Sequence, residues 1–455
     1  MVGRGRLRHR VETMDDVAGV FGRWVRWPGK YKEDRDRLYT QERTFWAFLG
    51  QVLSPNGSCQ EAVTKCAVHL ARKGKVVSPD SGAYCRARAR LPLEGIEAVH
   101  QDALRRLDGC ETRKMLWYGR RVNVVDGSSI SMPDTPENQK KYPQPHGQKP
   151  GCGFPVMRLV AVFSLVTGAI RNCEKGALSA SERALFHRLW DFFKPGEVVL
   201  ADRGFSSYAD FYLLARRRVD CVMRLHARRT VGVTIVKKLG RHDCLVLWHK
   251  PQCRPKWITP EQWLTVPNTL RVRHITVHVT IPGFRAHTIR IATTLLDHRA
   301  FPTHAFDELY RRRWLAELFL RDIKISMRMD VLRCKTPDMV EKELAVHILA
   351  YNLIRLTIWQ AACEHAVHPF EISFKSTVTH ILQWAPMLAD PRLANKTFYN
   401  LLRQFLQFIA RSNVPQRPNR VEPRARKRRP KQYALLNRPR HLFKNIPHRN
   451  HYQQP

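Results

Sequence analysis

The sequence predicts an α/β protein: a mixed sheet flanked by helices, interrupted by a mostly β insertion, with a helical region before it and another after it. Three observations carry this. Between residues 119 and 226, β-branched apolar runs of strand length alternate with amphipathic stretches of helix length. Residues 227–298 hold four alternating or β-branched runs parted by Pro, Gly and basic turns. Outside these spans the apolar spacing is mostly helical. The chain accordingly divides into a helical, basic region (1–118), the first part of a core (119–226), the insertion (227–298), the second part of the core (299–365), a helical region (366–413) and a basic tail expected to be disordered (414–455).

Lys and Arg together number 78 against 39 acids, a formal charge of +39 over 455 residues. That excess far exceeds what solubility requires and points to a polyanionic partner, nucleic acid first and a membrane surface second. No apolar run approaches the ~18 residues of a membrane-spanning helix. The basic N-terminus MVGRGRLRHR has no apolar stretch behind it to make a secretory signal. The 11 Cys include no CxxC pair, which fits reduced, mostly buried thiols in the cytoplasm. A zinc site from Cys244, His249 and Cys253 would match no common ligand spacing.

Taken in order, Trp24 and Trp27 are the heavy apolar anchors of residues 1–30. Glu42–Leu53 reads as a helix broken by Ser54-Pro55-Asn56-Gly57, and Ser58-x-x-Glu61 is a capping-box opening for the next. Ser81–Arg90 presents Arg86, Arg88 and Arg90 after a turn. That suits a helix laid against DNA, as in a helix-turn-helix; an exposed basic helix is the plainer reading. Residues 95–115 suggest one more helix. At Arg121–Val125 the pattern becomes a short strand ending in Asp126-Gly127-Ser128-Ser129, and a carboxylate at a strand's end sits at a sheet rim, where ligands bind. Met132 to Gly151, rich in Pro, Gln and Lys, reads as a loop. Met157–Val166 is a buried strand with Ala169–Cys173 as hairpin partner. Ser179-x-x-Glu182 opens a helix running to about Phe193. Glu197–Ala201 is a strand ending in Asp202-Arg203-Gly204-Phe205, a second carboxylate at a strand tip. A helix near Tyr208–Arg218 and a strand near Val219–Leu225 follow. The insertion runs are Thr230–Lys237, Asp243–Trp248, Arg271–Val279 and Thr288–Leu296. Beyond them, Cys334–Glu343 reads as a polar connection, Leu344–Trp359 as a long apolar helix and residues 370–413 as amphipathic helices. Gln416–Lys431, crowded with Arg, Lys and Pro, suits non-specific contact with phosphate.

The densest chemistry lies in Tyr310 to Lys324, YRRRWLAELFLRDIK, which lacks Gly and Pro and reads as one helix. At ~100° per residue, with Tyr310 at zero, Arg313 falls near ~300°, Glu317 near ~340° and Lys324 near ~320°. Trp314, Leu315, Leu318, Phe319 and Ile323 take the wider face, roughly 40° to 220°, and are expected to pack on a core. An acid flanked by two cations and a phenol suits a metal ion together with phosphate oxygens. The spacing also suits a solvated helix face with i,i+4 charge pairs. The pattern Tyr-x2-Arg-x3-Glu-x6-Lys resembles the signature of bacterial insertion-sequence transposases of the DDE type, the insertion-sequence-4-like family. Asp-x-Gly-Phe, at Asp202, Gly204 and Phe205, resembles the setting of that family's second Asp. The resemblance spans roughly residues 40–360.

The resemblance implies a ribonuclease H-like core in which Asp126, Asp202 and Glu317 are catalytic. Together they would hold two Mg2+ ions, with Mn2+ able to substitute and Asp126 bridging the pair. Three acids converging without metal repel one another, so at least one is expected to have a raised pKa. Tyr310, Arg313 and Lys324 would bind DNA phosphate, and Arg203 would lie close to DNA. One of Trp248, Trp257 and Trp263 would stack on a base extruded near the cleavage site, with burial in the small β core as the alternative for each. The implied reaction is cut-and-paste transposition. Water nicks an element end, the 3′-hydroxyl attacks the opposite strand with or without a hairpin between, and the freed 3′-hydroxyls join target DNA. The implied partners are double-stranded DNA, as element ends and as target, and a second copy of the chain in a synaptic complex. No membrane and no nucleotide cofactor is called for, and the implied location is the bacterial cytoplasm, at the nucleoid. Two rivals share the residues: a ribonuclease H-like nuclease without strand transfer, and a non-catalytic DNA-binding regulator whose acids only complete salt bridges. A decayed, inactive copy would read the same.

Overall fold

The computed structural model of the chain describes residues 16–29, 37–72, 74–225, 233–278, 288–415 and 434–444. The basic N-terminal run and Gln416–Lys431 lie outside these residues. A nine-stranded mixed sheet runs through the molecule in the order β3-β2-β1-β4-β5-β9-β8-β7-β6. Its first half is β1 (Val122–Ser131), β2 (Val156–Ser164), β3 (Ile170–Ala177), β4 (Val198–Ala201) and β5 (Asp220–Arg224). β1, β4 and β5 are parallel, while β2 pairs antiparallel with β1 and β3 antiparallel with β2. The second half is β6 (Val233–Gly240), β7 (Asp243–His249), β8 (Thr269–His278) and β9 (Thr288–Thr293), all antiparallel neighbours. β9 pairs with β5, so β6 to β9 extend the same sheet.

Alternation along each strand sends side chains to two cores. Val122, Val124, Val198 and Leu200 face one; Val125, Val160, Val199 and Ala201 face the other. The first face is covered by α10 (Thr303–Arg312), α11 (Trp314–Arg321) and α12 (Pro337–His365). Around these lie the N-terminal helices α1 (Val17–Phe21), α2 (Gln41–Leu53), α3 (Cys59–Ala71), α4 (Gly82–Arg90) and α5 (Leu93–Gly109), and the C-terminal α13 (Phe374–Leu388) and α14 (Asn395–Arg411). The second face is covered by α7 (Glu182–Arg188) and α8 (Tyr208–Arg216). The short α6 (Pro136–Lys141) and α9 (Pro260–Thr265) lie in connections.

Several sequence expectations are corrected. The first strand does not stop at Asp126. β1 runs on to Ser131 because the nine-residue β2 pairs with it throughout, from Asn123↔Ser164 to Ser131↔Val156, and that partner overrides the Asp-Gly-Ser-Ser turn signal. Residues 132–151 are not all loop: Thr135 caps α6, accepting the Asn138 N–H, with Pro136 in the first turn. The cap of α7 is Ser181, whose hydroxyl accepts the Ala184 N–H, and not Ser179; the α-helix ends at Arg188. The polar stretch before Leu344 is the opening of α12. The Glu343 carboxylate in its first turns accepts the Arg333 and Cys334 N–H groups, so these polar residues serve the helix end. The Tyr310–Lys324 helix is interrupted at Arg313 and passes into a π turn, Asp322–Ser326.

Candidate active site

The site is built first from two strand registers. β4 is four residues long and pairs with β1 from Val122↔Val198 to Val125↔Ala201. The residues that follow the last pair are Asp126 and Asp202, so parallel register sets the two carboxylates side by side, one strand spacing of ~4.8 Å apart in backbone. Asp126 is therefore inside a strand yet at the end of its ladder with β4. A buried polar cluster at the other end of the strands holds this register. Asn123 donates to Glu197 at 3.0 Å and accepts from Arg171 at 2.5 Å, and Arg171 also donates to Glu197 at 3.1 Å. After Asp202 a tight turn buries Phe205 and leaves Arg203 exposed, with its N–H-to-carbonyl closure from Phe205 to Asp202 at 3.1 Å.

Glu317 arrives from α11, which packs on β1's Asp126 face through Phe319 against Phe163 (5.5 Å between ring centres). Arg313 ties the group together. It donates to Glu317 at 2.9 Å, lies over the Tyr310 ring at 5.8 Å and is within electrostatic reach of both Asp202 and Asp126. Burial works against its charge, but Tyr310, the bond to Glu317, Asp202 and Asp126 hold its pKa above the ordinary value. Tyr310 is buried, which pushes its phenol up to about 12; Arg313 and Arg224 of β5 act against that shift, and Asp202 adds to it. Lys324 donates to Ser128 Oγ at 3.0 Å, two residues along β1 from Asp126 and on the same face.

Asp126 is pushed up to about 6. Burial is the largest cause; the Gly127 N–H, at 2.9 Å, and Arg313 lower it, and Glu317 and Asp202 raise it. The folded carboxyl thus keeps its proton to about pH 6, against an ordinary 3.8. The folded state binds more protons than the unfolded between these values, so stability falls as pH rises through that window, and the full penalty stands above it. Metal-free Asp126→Asn is expected to be more stable than the parent at pH 8, by on the order of 1–2 kcal/mol after allowance for solvent screening. The gain should shrink toward pH 4. Thermal melts at the two pH values check this, and equal melting at pH 8 would contradict it.

The donor set of Asp126, Asp202 and Glu317 is all oxygen, the chemistry that divalent Mg2+ or Mn2+ requires. Among the described residues no three His, Cys, Asp or Glu already stand at metal-holding geometry. Glu317 is turned to Arg313 instead, and its side chain is 41% exposed.

Other sequence candidates divide. Arg88 is buried, donating to Gln51 Oε1 and Cys59 Sγ, each at 3.2 Å, and so holds α4 on α2 and α3 rather than facing DNA. Arg86 and Arg90 are exposed. Trp248 is buried and donates to His274 at 2.8 Å, which excludes it from stacking on a base. Trp263 is half-buried under Lys250, 4.6 Å from its ring centre. Trp257, tilted at 41° against His187 with 3.8 Å between ring centres, lines an open recess of about 600 Å3 with Arg158, Glu182, Arg183 and Lys256. Trp314, at the edge of the apolar stripe, is 44% exposed and not core; Ala316, Phe319, Leu320 and Ile323 are buried, and Leu315 and Leu318 only half so. Sequence reasoning missed Ser128 and Arg224. A period of two from Asp126 would have flagged the first; nothing local marks the second.

Two Asp that follow the last pair of a parallel register, with Tyr310, Arg313, Glu317 and Lys324 across them, make up the candidate site. Residues 117–353, just over half of the chain, match the transposase DDE domain family, and the chain belongs to it: it is a DNA transposase, a metal-dependent polynucleotidyl transferase. It is 28% identical over 409 residues to the transposase InsG for insertion sequence element IS4 of Escherichia coli (strain K12), covering 88% of each chain. A cryo-EM structure of the piggyBac transposase synaptic complex with hairpin DNA aligns over 92% of this chain and 90% of that one, at 10% identity and a TM-score of 0.40. Among the described residues no helix is long and apolar enough to cross a membrane.

Proposed function

We propose that the chain performs cut-and-paste transposition by in-line phosphoryl transfer on a ribonuclease H-like core, with Asp126, Asp202 and Glu317 holding two Mg2+ ions. The observation that carries this is the register that ends at Val125↔Ala201, with Arg313 drawing on all three acids that follow. The ions, when bound, activate the attacking oxygen and stabilise the leaving one. The chain's own work is placement. Asp126 and Asp202 lie on rigid paired strands. Glu317 exchanges Arg313 for the metal side, releasing the guanidinium to a phosphate. Tyr310 offers its hydroxyl to a phosphate, and Lys324, on its Ser128 rest, adds a point charge beside it. Arg203, Arg86 and Arg90 are exposed and extend the basic surface for DNA.

Residues 1–118 serve DNA binding, 119–226 and 299–365 the core, 227–298 the insertion and 366–413 a helical support, at the nucleoid. Synapsis of two element ends calls for a homodimer on DNA. Oligonucleotides ending in the terminal sequences that flank the coding region, with Mg2+ or Mn2+, test the reaction. Hairpin or joined products are expected; cut ends alone would favour a nuclease, and no cleavage of any such DNA would favour a regulator.

Trp257 is the insertion aromatic offered to an extruded base. Trp257→Ala is expected to lower cleavage at saturating DNA about 10-fold, within the ~1–3 kcal/mol of a base–aromatic stack, with a smaller loss of stability than Trp248→Ala because Trp257 is only half-buried against His187 and Trp190. Trp248→Ala is expected to act on stability instead, by ~3–5 kcal/mol. Cleavage rates and thermal melts separate the two, and the reverse pattern would refute the assignment.

A further inference from the structure

Lys324 lies in the π turn that follows α11. The bond that defines the turn runs from the Met327 N–H to the Asp322 carbonyl at 3.1 Å. Such turns are rare, occur mostly as single turns within helices and are frequent at functional sites. This one is tethered at both ends. At its start Asp322 is buried and accepts from Arg355 Nη2 of α12 at 3.1 Å. Beyond its end the Asp330 carbonyl accepts from the Ser131 N–H of β1 at 3.0 Å and from the Ser131 hydroxyl at 3.2 Å. Arg355 is itself fixed. Its Nε donates to the Tyr351 hydroxyl at 3.1 Å, and that hydroxyl donates to the Gly168 carbonyl at 2.8 Å. Its guanidinium lies 4.8 Å from the ring centre of Phe319 and 5.2 Å from that of Phe374. Between the two tethers Lys324 reaches Ser128, on the strand face that carries Asp126.

We infer that Asp322 and Arg355 are positioning residues: their buried ion pair holds the π turn in place and thereby aims Lys324 at the phosphate beside the acids. The inference rests on the reading of Lys324 as a phosphate ligand. Relaxation of the turn to α geometry would change the helical phase of Lys324 between the two tethers, by up to ~100° for a one-residue slip, enough to swing a lysine off a phosphate. Hydrogen bonds to a buried ion pair lock rotamers in a way that an apolar contact does not.

The salt dependence of DNA binding reads this out, because each phosphate contact adds about 0.9 to the logarithmic slope and a purely structural role adds none. The full chain is titrated with duplexes ending in the flanking terminal sequences. Lys324→Ala and Asp322→Asn should each lose about one contact, and the two together no more than one. Single-turnover cleavage at saturating DNA should fall about 10-fold in each, without multiplying in the pair. A second variant, Asp322→Leu with Arg355→Met, replaces the buried pair by apolar groups of similar size, a change that cores often tolerate, and should behave as Asp322→Asn does. If both Asp322 variants keep the parent slope while Lys324→Ala loses its contact, or if the effects multiply, the positioning role is overturned. If Lys324→Ala leaves the slope untouched, the phosphate reading of Lys324 fails and takes this inference with it.

Discussion

Asp126→Asn, Asp202→Asn and Glu317→Gln should each lower cleavage of element-end DNA by at least ~10³-fold while leaving DNA affinity within about threefold. Each amide keeps the shape of its parent and removes the charge that a divalent cation needs. The three side chains come from separate elements that are each held in place: β1 and β4 by the Asn123–Arg171–Glu197 cluster at the start of the two strands, α11 by Phe319 on Phe163. The loss should therefore be chemical: far-ultraviolet dichroism should match the parent's, and no variant should melt below it, with Asp126→Asn melting higher at pH 8. Residues that act as one unit are strongly non-additive. Any two of the substitutions combined should fall to the same floor as one, not to a product of losses. An oligonucleotide cleavage assay beside a mobility-shift titration measures both quantities. Wild-type cleavage by any one variant would remove that residue from the catalytic set.

The sequence made some of this legible and hid the rest for identifiable reasons. Val122–Val125 and Val198–Ala201 announce strands because β-branched runs suit a sheet buried on both faces. Glu317 and Arg313 could be paired from i,i+4 spacing alone, and the structure joins them at 2.9 Å. Burial of Arg88 could not be read, since an Arg in a helix of alternating Arg and Ala looks solvated; only Gln51 and Cys59 on other helices make its place polar enough to bury. The π turn was equally silent: Arg355, which donates to its first residue, stands 33 residues from Asp322. The length of β1 depended on β2 in the same way. Local spacing reports a residue's own element, whereas a neighbour's demands appear only when the chain has closed on itself.

Arg313 should give the second largest effect, and one with opposite signs in two measurements. Its guanidinium is 14% exposed, bonded to Glu317 and electrostatically coupled to Asp126 and Asp202. In the metal-free protein it neutralises the acids that a metal would otherwise neutralise, so it competes with the metal. Removing one positive charge from such a site should tighten Mn2+ binding by about 10-fold, the equivalent of ~1.4 kcal/mol at a partly screened site. The same residue clamps phosphate in the proposed reaction, so Arg313→Ala should cleave at least ~10²-fold more slowly. Arg313→Lys should not restore the rate, because a single ammonium cannot bond a carboxylate and turn to a phosphate with a rigid planar fork. Calorimetric titration of metal-free protein with Mn2+, set beside single-turnover cleavage, tests both signs at once. A variant that binds metal more weakly and cleaves more slowly would mean that Arg313 merely props Glu317 in place; one that binds metal more tightly yet cleaves at the parent rate would mean that the guanidinium never leaves the acid for the DNA.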